Sequence, residues 1–310
     1  MKLCKFFSLT ILGYALHLGT ANAQIDNFDD GDDNGWAHHD PIGSVVGFNW
    51  VTFDASSKAY NIKAAGQTLN PQLGPSRGAG FRPDIYSDFW VSVDIVNWDP
   101  SQRQAIGVLA RIQPNPSLGN AHGYLLSYQP QENDIQITRL IGEQPDGYIG
   151  DDPVLSSQPQ PGEGLRLVFT GTGNTLTGRA YSISDPDVIL AESSGTDNSF
   201  TEGISGVLVF DFSQAGTSPI DATFDNYAAA KEEPYKFGII GARIDEENDD
   251  KLLIDFLSKP GKFYAIEQSS DLETFLEIDD GIEGATGSDR TTVAVPFVAG
   301  SKMFFRLREL

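Results

Sequence analysis

The run Phe89-Trp90-Val91-Ser92-Val93-Asp94-Ile95-Val96 decides the fold class. Phe89, Val91, Val93 and Ile95 alternate with Trp90, Ser92, Asp94 and Val96, the two-residue period of a strand with one face in a core. Leu165, Leu167 and Phe169 repeat that pattern against Arg166, Val168 and Thr170. Ile135–Thr138, Val207–Phe210 and Ile220–Phe224 extend the series. Turn formers separate these runs: Asn115-Pro116-Ser117, Pro145-Asp146-Gly147, Gly171-Thr172-Gly173-Asn174 and Ser184-Asp185-Pro186. No stretch of a dozen residues keeps an apolar i, i+3, i+4 stripe. The expectation is an all-β chain, a jelly-roll β-sandwich followed by a smaller β-sandwich.

The second unit follows Ala228-Ala229-Ala230-Lys231-Glu232-Glu233-Pro234, read as the join, with residues 24–229 before it, a linker over 230–235 and a module over 236–310. Strands are expected at Phe237–Ile244, Leu252–Leu257, Phe263–Gln268, Thr291–Phe297 and Met303–Leu307. The acidic run from Asp245 to Asp250 reads as a solvated hairpin loop.

Charge narrows the partners. The 310 residues hold 43 Asp and Glu against 21 Lys and Arg, a net charge of −22. Nucleic acid and anionic membrane surfaces both demand clustered cations, so neither is expected as a partner. With 40% hydrophobic residues and 19 Phe, the chain is too apolar for a disordered acidic tail. Lys2 and Lys5, the apolar stretch Phe6–Leu18 and Ala21-Asn22-Ala23 form an export signal cleaved after Ala23, which carries the single cysteine, Cys4, away with it. The stretch is too short for a membrane span. The protein is therefore expected outside the cytoplasm, periplasmic or secreted. Without disulfides or Asn-x-Ser/Thr sites, a bacterial export route fits best.

Asp26-Asn27-Phe28-Asp29-Asp30-Gly31 with Gly35-Trp36 opens the mature chain, and Gly203-Ile204-Ser205-Gly206-Val207 with Ala222-Thr223-Phe224-Asp225-Asn226-Tyr227 closes its first unit. Over residues 24–230 these motifs resemble the concanavalin A-like (laminin-G-like) lectin and glucanase superfamily. The resemblance implies a jelly roll whose last strand pairs near the first, and a structural calcium where they meet, with Asp225 and Asp26 as ligands. The last unit, with Phe263–Leu272 and Phe304–Arg308, is similar to small C-terminal β modules of exported bacterial proteins.

Asp30, Asp32 and Asn34 follow the D-x-D-x-N-G pattern that opens a calcium loop, in which alternate oxygens converge on a hard cation. The twelfth position is Pro41, so the loop is no EF-hand, and a polar turn explains the same residues. His38 and His39 are adjacent on a strand, point to opposite faces and do not share an ion; both read as surface residues. The Glu-x-Asp-x-x-Glu pattern of laminarinase-like relatives does not occur. Glu132, Glu143, Glu163, Glu192 and Glu202 sit beside turn formers, and none is expected to be a buried acid. Sugar recognition asks only for exposed aromatics with hydrogen-bonding neighbours. By alternation Trp90 shares a polar face with Asp94, and Trp98, Arg111 and Tyr128 extend the candidate set. The expected function is non-catalytic recognition of an extracellular polysaccharide or glycan. A hydrolase or lyase on the same fold, and an adhesion module binding a cell-surface protein, are the alternatives.

Overall fold

The computed structural model describes residues 24–310, apart from 187, 234–237, 246, 247, 249, 287, 289 and 298–302. The expected export signal, residues 1–23, lies outside the described residues. Two compact units follow one another, the first ending at Glu233.

In chain order the first unit runs β1 (Gln24–Asp26), β2 (Ala37–His39), a short helix α1 (Pro41–Val46), β3 (Val51–Asp54), β4 (Tyr60–Ala64), β5 (Arg77–Tyr86) and β6 (Phe89–Trp98). It continues with β7 (Gln104–Ile112), β8 (Gly123–Gln129), β9 (Asp134–Ile141), β10 (Gln144–Tyr148) and β11 (Leu165–Thr172). The remaining strands are β12 (Thr175–Ser182), β13 (Ile189–Thr196), β14 (Gly203–Asp211) and β15 (Ile220–Ala230). They form two antiparallel sheets. The eight-stranded sheet has the order β13-β12-β11-β6-β15-β4-β3, with β1 also on β15. The seven-stranded sheet has the order β10-β9-β8-β7-β14-β5-β2. Phe89, Val91, Val93 and Ile95 of β6 lie in the core between them, as alternation requires, with Phe169, Phe224 and Tyr227. Each such side chain contributes roughly 1.5–3 kcal/mol by leaving water.

The opening motif is a core-building device. Asp26 accepts from the Phe28 amide at 2.9 Å and the Trp36 indole at 2.7 Å. That holds both rings against Tyr60 and Tyr227. The last strand pairs with the first, Asp26 opposite Tyr227. Asn226, at φ 50°, bulges β15 there, so the inward parity passes from Phe224 to Tyr227.

Two local readings are corrected. Ala228–Ala230 continue β15 and are largely buried, so the join begins after them. Pro145-Asp146-Gly147 lies within β10, an edge strand where a proline costs no ladder bond, and the chain reverses instead at Gly142-Glu143.

The second unit contains β16 (Gly238–Ile244), β17 (Lys251–Leu257), β18 (Phe263–Ser269), β19 (Leu276–Glu283), β20 (Arg290–Pro296) and β21 (Phe304–Glu309). Two three-stranded sheets, β16-β17-β20 and β19-β18-β21, close on Leu252, Ile254, Phe256, Tyr264 and Ile266. The strand not foreseen is β19, whose residues are mostly exposed and charged. Of the acidic run, Asp245, Asn248 and Asp250 are described, and they join β16 to β17.

Candidate functional site

The outer face of the eight-stranded sheet, where the sequence puts Trp90 and Asp94, does not assemble the expected set. Trp90 is half-buried there. Asp94 is 2% exposed and bound by Arg166 through two bonds of 2.6 and 2.8 Å, with the Asn226 amide at 3.0 Å. It anchors β6 to β11 and β15. Trp98 is 4% exposed and points inward, because a bulge at Val96 reverses the parity of β6 beyond Ile95. Its ring meets Tyr128 edge-on in the core, and Tyr128 has no exposed surface. Arg111 is also buried. Its φ of 50° marks a bulge in β7, and its guanidinium donates to the carbonyls of Ser87, Phe200 and Gly173. Trp98, Tyr128 and Arg111 hold the fold and cannot meet a ligand.

The calcium ligands do not converge either. Both oxygens of Asp26 are engaged by Phe28 and Trp36. Asp30 accepts from the Asp32 amide and Asp32 from the Asn34 amide, the Asx turns of a polar loop. Asp225 accepts from the neighbouring Asn226 amide. Burial, then repulsion from Asp94, Asp29 and Asp26, pushes its carboxyl up. Among the described residues no three His, Cys, Asp or Glu side chains form a group that could hold a metal. The residues present do not fit the ion.

A hollow lies instead on the outer face of the seven-stranded sheet. Here β8 is buried on both faces: Tyr124, Leu126 and Tyr128 enter the core, while Leu125, Ser127 and Gln129 face outward. Ala79, Phe81, Leu109, Leu125, Leu140 and Leu208 form a second apolar cluster, separate from the core. Gly206, paired with Phe81 and Leu109, allows the neighbouring strand to approach closely; a methyl there would come within 2.0 Å of the Gly80 carbonyl oxygen. The hollow is open to solvent on one side, and its empty space of about 660 Å3 includes that open solvent.

A strap closes one side. The β9–β10 turn lies against the β7–β8 loop: the Glu143 amide donates to Ala121 at 2.8 Å and the Gly142 amide to His122 Nδ1 at 3.0 Å. Glu143 carries the strap to strands at the opposite edge of the sheet. One carboxylate oxygen meets His39 Nε2 at 2.5 Å, and the other meets Arg77 Nη2 at 2.7 Å and the Gly119 amide at 3.0 Å. All three side chains are buried. Burial alone would raise the Glu143 carboxyl; the His39 hydrogen bond and the Arg77 charge outweigh it and hold the group below its ordinary value. An ionised Glu143 requires His39 to present Nε2–H. Arg77 is fixed further by the carbonyls of Leu73 and Pro75. The surface reading of the histidines therefore holds for His38, paired with Asp33, and fails for His39. Glu143 corrects the expectation that none of the glutamates is buried.

One corner of the hollow is polar. Gln136 Oε1 accepts long bonds of 3.4 Å from Gln129 Nε2 and Thr138 Oγ1. The Ser127 hydroxyl, the Gln136 amide nitrogen and the Gln129 amide oxygen have no partner among the described residues. Asp134 shares this face by register, paired with Gln129. Burial, then the charges of Glu132 and Asp152, push its carboxyl up to about 6.

No known protein family and no curated protein matches the chain in sequence. Among solved structures it is similar to the carbohydrate-binding module CBM66 from Bacillus subtilis, at 15% identity and a TM-score of 0.45, covering 63% of this chain and 95% of that one. A protein of unknown function with a galectin-like fold from Bacillus subtilis is 13% identical, with a TM-score of 0.45 over 67% of this chain and 94% of the other. The Ca2+-bound exoplasmic/lumenal domain of VIP36 is 11% identical, with a TM-score of 0.44 over 68% and 90%. Likenesses this distant carry no argument about a ligand, which rests on the hollow itself.

Proposed function

We propose that this chain is an exported, non-catalytic carbohydrate-binding protein, and that its sugar site is the strapped hollow of the seven-stranded sheet. The observation that carries the reading is the union, in one pocket, of an apolar floor with the unpaired amide and hydroxyl groups of Ser127, Gln129 and Gln136. A sugar ring presents the same two chemistries, apolar C–H faces and a rim of hydroxyls. Arg77 and Glu143 cancel one another, so the hollow offers no net charge to an ionic ligand. The net charge of −22 repels polyanions, which favours neutral glycans.

Glu143 is the carboxylate lining the hollow among the described residues. Held ionised between a guanidinium and an imidazole, it cannot donate a proton, which supports binding over hydrolysis. The hydrolase reading has Asp134 on its side: a carboxyl near 6 suits a general acid. Its mark is release of reducing ends, abolished by Asp134→Asn. The binding reading is tested by running the exported chain in native gels cast with single neutral polysaccharides. Selective retardation is expected; uniform migration through every gel defeats it.

A further inference from the structure

We infer that the hollow selects O-acylated glycans: a short ester-linked acyl group enters its apolar part while the sugar that bears it meets the Ser127, Gln129 and Gln136 corner. The inference rests on the carbohydrate reading above and adds the substituent.

Its basis is how the two chemistries are distributed. Strand register sets Phe81, Gly206, Leu109 and Leu125 in one row across the sheet, with Ile204, Ile112 and Leu140 in the next. None of these side chains donates or accepts a hydrogen bond, and the backbone beneath them is spent in the ladder. The free polar groups belong to the β8–β9 corner, one step away along the strands. An unmodified hexose pushed into the apolar rows would bury hydroxyls without partners, each weakening binding by roughly 5- to 150-fold. An acyl chain brings no hydroxyls and gains in proportion to the apolar area it buries.

The Glu143–Arg77 pair disfavours the other apolar candidate, a free fatty acid. Arg77 would be its natural anchor, but Glu143 holds its Nη2 and the Leu73 and Pro75 carbonyls its Nη1, leaving only the buried Nε without a partner. Glu143 itself repels a second carboxylate. The apolar part therefore suits a neutral ester.

The test uses one neutral mannan in two forms, naturally O-acetylated and deacetylated with mild alkali, in native affinity gels with the exported chain. Methyl 6-O-butyryl-glucoside and methyl glucoside serve as soluble competitors. At least tenfold tighter retention by the acetylated form is expected, relieved by the butyryl glucoside and not by the plain glucoside. Leu125→Phe, which enlarges a side chain within the apolar row, is expected to remove the preference for the acetylated form, with Tm measured alongside. Equal retention by both forms overturns the inference and leaves carbohydrate binding standing. Retention of neither overturns both. Because the competition arm uses the unmodified protein, a variant that fails to fold does not spare the inference.

Discussion

Replacing Arg77 with methionine removes the guanidinium from Glu143 while keeping a side chain of similar length. Glu143 is then a buried carboxylate facing His39 and the Gly119 amide alone. Removing one partner of a buried pair costs about 3–5 kcal/mol. The surviving His39 bond places this case near the lower end, and the bonds to Leu73 and Pro75 go as well, at about 1 kcal/mol each. The expected loss is therefore about 5 kcal/mol in urea-induced unfolding at pH 7. Adding Glu143→Gln removes the stranded charge and should restore about 2 kcal/mol of it. The pH dependence has a definite sign. In the parent, the folded-state pKa of Glu143 lies below its unfolded value of 4.5, so its contribution is complete above that pH and is lost as pH falls through the folded value. In Arg77→Met the charge that opposed burial is gone and the folded-state pKa rises. The variant gains relative to the parent as pH falls, and the gap narrows toward pH 4.5. A loss under about 1 kcal/mol, or the same loss with and without Glu143→Gln, would refute a strap pinned by this pair.

Asp134→Asn should stabilise the protein by about 1 kcal/mol at pH 7.5, discounted for partial exposure, because the ionised carboxylate is disfavoured in the fold. With the folded pKa about 6 and the unfolded 3.8, the gain should vanish as pH falls below 4; thermal melts at both pH values decide it. Asp94→Ala strands Arg166 on the eight-stranded sheet, away from the hollow, and should cost about 2–4 kcal/mol without changing glycan retention, read by urea titration alongside affinity gels. Since Asp26, Asp30, Asp32, Asn34 and Asp225 do not converge, 5 mM EDTA or calcium should move the Tm by less than about 1 °C in scanning calorimetry. A larger calcium-dependent rise would restore the metal reading.

The fold was legible where one strand face is buried and the other is not. Phe89–Val96 reads correctly because Phe89, Val91, Val93 and Ile95 fill the core while Asp94 is held by Arg166 and Asn226 on the outer face. Bulges broke the same reasoning: single extra residues at Val96 and Arg111 reverse parity, and nothing in the local pattern announces them. Trp98 and Arg111 moved inward for that reason. Tyr128 was misread as a ligand contact because β8 is buried on both faces, so its alternation does not tell core from solvent. That same two-sidedness, Leu125 beside Tyr124 and Leu126, was the available clue that something covers the outer face of this sheet. The strap left no clue. His39, Arg77 and Glu143 are separated by as many as 104 residues, and only the closed fold brings a turn glutamate onto a histidine at the far edge. The Asp-rich opening motif was visible but served a different purpose, since Asp26 holds Phe28 and Trp36 in the core.

The central claim is the location of the sugar site, and one comparison tests it most directly. Once a retarding neutral polysaccharide is known, the dissociation constant is measured for the parent, for Ser127→Ala with Gln136→Ala, and for Trp90→Ala, with Tm checked in each. The hollow predicts at least a tenfold weakening in the Ser127/Gln136 variant and an unchanged constant in Trp90→Ala. Full affinity in the first and loss in the second would contradict it, returning the site to the outer face of the eight-stranded sheet.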